Sequence, residues 1–223
     1  MKKELLGLVK LGSREHMEDF RINGTMYMNT VEYFRVLEGR GHVGDEDEAL
    51  QSCYQSDRVS VKITKPDGES ILLTKENGLT GQILTRNNAV NGQNIFCMHA
   101  FLYSDMKPIV DERNLIFGDT YVCITNGLAF LERIHAAAKK AKVKIYRGLV
   151  EYVPRDSHNG KFGIFRKFDT HSYQNEYRFV LSPGLCMPYT LALGDISDIT
   201  IIGSSVEIND HIEVVELPPD DIE

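Results

Sequence analysis

The sequence predicts a single α+β domain with mixed or antiparallel sheets and a few helices. Three observations point to it. The first forty residues read strand, helix, strand, helix, with joints of only one or two residues. One long amphipathic segment occupies residues 127–142. Most of the remaining chain is short β-rich runs separated by turn residues, a hairpin pattern rather than one of βαβ crossovers. A chain of 223 residues can bury one good core. No repeat, low-complexity linker or shift in composition divides it, so residues 1–223 are expected to fold as one domain.

Residues 5–11 form a short apolar strand closed by Gly12 and Ser13. The Ser13 hydroxyl can accept from the free N–H groups of a first turn, which makes it the expected cap of a helix over 14–22 with Met17 and Phe20 inward. Asn23-Gly24 ends that helix with a pair that tolerates left-handed backbone. A strand over 25–28 follows, and Asn29 or Thr30 caps a second helix over 31–37. Each strand thus delivers a small polar residue to a helix start, where free N–H groups can hold an anion or a phosphate. Residues 39–50 run from glycines into Asp45, Glu46, Asp47 and Glu48. Their spacing does not fit a calcium loop, and an acidic first helical turn explains them as well.

Alternating runs at 59–64 and 70–74 flank Pro66-Asp67-Gly68 and make the most secure hairpin. Strands are expected over 95–103 and 120–125. Asn126 then caps the long helix, whose apolar positions Leu128, Phe130, Leu131, Ile134 and Ala138 make a helical face and whose lysines gather at the C-terminal end. Residues 143–153, 196–203 and 211–217 are read as further strands, and the acidic tail over 218–223 as frayed.

A net charge of −7 disfavours broad, non-specific binding to nucleic acid. Lys139, Lys140, Lys142, Lys144 and Arg147 are read as a solvated face. Cys53, Cys97, Cys123 and Cys186 form no C-x-x-C pair, and three lie in apolar strand-like runs, so reduced thiols in a cytoplasmic protein are expected. No run is apolar enough for a membrane span, and the start of the chain does not read as a signal peptide, so no membrane partner is expected. P-loop, nucleophile-elbow, H-E-x-x-H and dinucleotide glycine motifs are missing, and no Cys or His spacing suggests a metal site.

The most informative stretch is 168–181, which is aromatic and β-branched from Tyr173 onward and stops at Ser182-Pro183-Gly184. As a strand it places Gln174, Glu176 and Arg178 on one face, and Tyr173, Tyr177 and Phe179 on the packed one. Such a polar row is costly to cover unless its members pair or line a cleft.

Gln174-Asn175-Glu176 resembles the Gln-x-Glu signature of ADP-ribosyltransferases. The segment 8–13, through Lys10, Gly12 and Ser13, resembles their first strand, and Tyr27-Met28-Asn29-Thr30 with Tyr33-Phe34 resembles the strand leading to the nicotinamide pocket. The longer pattern is similar to bacterial toxins and phage-defence effectors of that fold. The family's first-strand arginine or histidine is absent, leaving Lys10, Arg14 or the Gly12 backbone to serve. Its serine-threonine-serine element is reduced to Asn29-Thr30.

The resemblance implies NAD as a substrate, an RNA or protein acceptor, and a protein antitoxin as a partner. It implies that Glu176 stabilises positive charge developing on the ribose and that Gln174 orients or activates the acceptor. Ser13 and Thr30 would supply hydroxyls to the ribose and diphosphate. Tyr27, Tyr33 or Phe34 would stack on the nicotinamide, though core packing is the expectation for Tyr27 and Phe34. Arg178 would reach phosphate or hold Glu176, and Glu176→Gln would barely change stability. The alternatives are a non-catalytic module of the same shape that binds a nucleotide or a protein, and an enzyme of unrelated chemistry.

Overall fold

The computed structural model describes residues 5–37, 44–102 and 110–212. In chain order, β1 (Leu5–Gly12) leads to α1 (Arg14–Asn23), and β2 (Thr25–Thr30) to α2 (Val31–Leu37). Then come β3 (Ser52–Gln55), the hairpin β4 (Val61–Thr64) and β5 (Ser70–Leu73), β6 (Gln82–Thr85), β7 (Asn94–Leu102) and β8 (Thr120–Ile124). After α3 (Gly127–Ala141) follow β9 (Lys144–Leu149), β10 (Glu151–Val153), β11 (Gly160–Lys161), β12 (Arg166–Phe168) and β13 (Glu176–Ser182). The described chain closes with β14 (Tyr189–Ala192), β15 (Thr200–Ser204) and the single turn α4 (Ile208–His211). This is one α+β domain, antiparallel throughout its main sheet, with β10 and β12 paired in parallel.

The local signals act as their chemistry dictates. Ser13 Oγ accepts from His16 N, Thr30 Oγ1 from Tyr33 N at 3.2 Å, and Asn126 Oδ1 from Ala129 N at 3.0 Å, each at a helix start. Gly24 ends α1 in the left-handed region, at φ 62°.

The sheet is organised around β7. Along one edge it pairs with β13, from Glu176↔His99 to Leu181↔Asn94, and β9 lies outside β13. Its other edge is shared. β1 takes the C-terminal half as far as Val9↔His99, and β2 takes Asn29↔Ile95 and Thr30↔Asn94. Between those registers, the edge of β7 at 96–98 pairs with neither strand, and the sheet splits. β8 and β15 continue it beyond β1, and β14 beyond β2.

One face of β7 and β13 carries the main core with α1 and α3. There Phe130 meets Phe20 and Phe179 edge to face, with ring centroids 6.2 and 6.1 Å apart. Tyr177 belongs to this core too. The other face holds smaller clusters, including Ile95 with Val180 and Val153 with Phe168. Among the described residues no helix is long and apolar enough to cross a membrane.

Three expectations change. The strand expected over 143–153 breaks at Val150, whose N–H donates to Glu176 O at 2.8 Å, and β10 turns away to pair with β12. The stretch expected as a strand from Tyr173 begins at Glu176 instead. Asp169–Gln174 form a 3₁₀ helix, and Asn175 turns the chain at φ 40°. Residues 197–199 form a further 3₁₀ turn before β15. The expectations for 39–43 and 213–223 lie outside the described residues.

Candidate functional site

The split between β1 and β2 opens into a cavity of about 790 Å³, within the range of small-molecule sites. β1 and its joint bring Lys10, Gly12 and Ser13 to its wall, β2 brings Tyr27 and Asn29, and α2 brings Tyr33 and Phe34. On the far side stand Gln174, Glu176 and Arg178. The shared edge of β7 is what joins positions so distant in sequence.

Thr30 stands apart. It lines an adjoining groove of about 350 Å³ with Tyr33, Val36 and Pro188. Tyr27 is 54% exposed and therefore no core residue, contrary to expectation. Phe34 packs against the Ile95 cluster while also facing the cavity. The Ser13 hydroxyl is engaged as the helix cap.

Lys10 occupies the split itself. Its Nζ donates to Cys97 O at 2.9 Å, filling part of the unpaired edge of β7, and lies 4.9 Å from the Phe96 ring centroid. Burial lowers its pKa below the ordinary lysine value, with Cys97 and Glu176 pulling the other way.

The cavity wall itself carries a network of charges. Arg178 is fully buried and donates from Nη1 and Nη2 to the two Glu48 carboxylate oxygens, each at 2.6 Å. It also donates to both Glu176 oxygens and to Ile164 O. Lys167 Nζ lies 3.0 Å from Glu176 Oε2 and 2.8 Å from Gln174 Oε1. Asp47 pairs with Arg155 at 2.8 Å and Arg86 at 3.5 Å. Four carboxylates, Asp45, Asp47, Glu48 and Glu176, thus face the four cations Arg86, Arg155, Lys167 and Arg178. Pairing with these cations, of which Arg86 and Arg155 stay partly exposed, is what makes burial of the four carboxylates tolerable.

Burial alone would raise the Glu176 pKa, but Arg178 and Lys167 together hold it well below the usual carboxylate range. The Glu176 N–H donates to Tyr152 Oη at 2.9 Å. Gln174 is not on the strand, as expected, but at the end of the 3₁₀ helix. It still reaches the same cavity. Its backbone carbonyl accepts from His99 Nδ1 at 2.9 Å, which sets that ring nitrogen as the protonated one.

Lys167, Glu48, Asp45, His99 and Cys97 complete the wall, and the sequence reading does not assign them to it. The run Asp45–Glu48 carried a signal, since consecutive acids need countercharge. The structure supplies that countercharge from β12, β13 and Arg155 rather than from a helix start. The 44–50 loop is held to α2 by Arg35, which donates to Glu48 O at 2.7 Å and Ala49 O at 3.1 Å. Among the described residues no group of His, Cys, Asp and Glu is arranged to hold a metal ion. Comparison with protein-family profiles, with curated proteins and with solved structures gives no match for this chain.

Proposed function

We propose that the protein is an NAD-dependent ADP-ribosyltransferase, with RNA or protein as the acceptor and a role as a toxin or antiviral defence effector. The observation that carries this reading is the cavity at the sheet split, where Glu176 and Gln174 meet the β1 and β2 segments. The lining suits the ligand: a lysine for a diphosphate, exposed Tyr27 and Tyr33 for aromatic rings, and a carboxylate held in its charged form. Glu176 would stabilise positive charge developing on the ribose as the glycosidic bond to nicotinamide lengthens. Lys10 would take the role of the missing first-strand arginine or histidine.

A second reading has its own support. Both Glu176 oxygens are already engaged by Arg178 and Lys167, as in a module that binds a nucleotide or a protein without catalysis. Cell lysate incubated with the protein and NAD labelled in its adenosine half separates the two. The transferase reading expects label attached covalently to an RNA or protein fraction. Label recovered only as intact NAD contradicts it and favours the binding module.

A further inference from the structure

Lys167 touches both members of the Gln174–Glu176 pair, and the reaction outlined above gives it no task. Its side chain is almost entirely buried, with Nζ 2.8 Å from Gln174 Oε1 and 3.0 Å from Glu176 Oε2. Its other carboxylate neighbours, Glu48 and Asp45, are beyond hydrogen-bond range at 3.8 and 3.9 Å. An ammonium group has three donors and no acceptor, so the Gln174 atom facing it must be the carbonyl oxygen. That contact fixes which way the amide points, something shape alone leaves open. The NH₂ end remains, and among the described residues its one contact is a long one, to Tyr173 Oη at 3.4 Å.

Resting on the transferase reading, we infer that Lys167 is a positioning residue: it makes Gln174 a hydrogen-bond donor to the ligand and pins the Glu176 carboxylate beside it. The group that Gln174 recognises is then an oxygen with a lone pair, such as a ribose hydroxyl or a carboxamide carbonyl. A neutral amide is too weak a base to draw a proton from an incoming nucleophile. Its task is to orient.

Several ionisable groups face Glu176. Arg178 comes from its own strand, Lys167 from β12, Glu48 and Asp45 from the 44–50 loop, Cys97 and His99 from β7, Lys10 from β1 and Tyr152 from β10. Arg178 and Lys167 are the two that keep the carboxylate charged against burial. Without Lys167, Glu176 loses one of its two principal stabilising cations and shares the other, Arg178, with Glu48, so it takes up a proton at a higher pH.

The test is nicotinamide release by the full chain as a function of pH. Lys167→Met should lower kcat by roughly tenfold or more while the KM for NAD stays within about threefold. The acid limb of its rate profile should move up by about one pH unit or more, and Lys167→Arg should return the limb toward its original place. Gln174→Glu keeps an acceptor for Lys167 but loses the NH₂ donor, so it should fold and still lose comparable rate. A folded Lys167→Met with unchanged kcat and acid limb overturns the inference, because Lys167 then only balances charge. Wild-type rate in Gln174→Glu overturns it as well, and decides the matter if Lys167→Met fails to fold. A wild type that releases no nicotinamide removes the transferase reading, and this inference with it. An active wild type with indifferent variants removes the inference alone.

Discussion

Arg178 shows what one residue can fix. It is planar, always charged and fully buried, and it divides its donors between Glu48, Glu176 and a backbone carbonyl. Arg178→Met would leave the buried carboxylates of Glu48 and Glu176 without the guanidinium that binds both. The expected cost is about 3–5 kcal/mol of folding stability, read from chemical denaturation, and a loss under about 1 kcal/mol contradicts the network. By the same logic Glu176→Gln is not neutral for stability, as a surface ion pair would be, because it leaves excess positive charge in a buried set. The sequence made the row Gln174, Glu176, Arg178 legible as one that had to pair or line a cleft. Its partners were not legible. Glu48 lies 130 positions from Arg178, and an ion pair across that distance leaves no periodic trace in either segment.

At the scale of elements, the short joints were readable because caps act within a turn. Ser13, Gly24, Thr30 and Asn126 each stand where the chain's local chemistry puts them. Gly24 is the most exacting of these. Beyond its positive φ, a Cβ there would lie 2.1 Å from Gly194 O. Gly24→Ala should therefore cost well over about 1 kcal/mol. It should also weaken ligand binding, because β2 carries Tyr27 and Asn29 into the cavity directly after it. Calorimetric unfolding together with NAD titration would check both effects, and an unchanged midpoint would contradict the close approach. The breaks at Val150 and at Asn175 were not readable. They depend on which strand lies alongside, as with Val150 N–H and Glu176 O, and a propensity read along one chain cannot supply that.

For the whole molecule, the decisive feature is that one central strand serves three neighbours. β7 pairs with β13 along one edge and divides the other between β1 and β2. The cavity is the space left where those two part, lined by residues as far apart in sequence as Lys10 and Arg178. The α+β class was visible in the order of elements. The split was not, because it follows from registers rather than from composition. The claim that this space is an NAD site acting through Glu176 is tested most directly by nicotinamide release from NAD. Wild type and Glu176→Gln are compared at equal folded concentration, well below both unfolding midpoints. Wild type should release nicotinamide, and the variant should lose at least about a hundredfold in rate, the scale of one preorganised electrostatic contact. Equal rates for the two folded proteins, or no release by wild type with RNA and protein acceptors present, would contradict it.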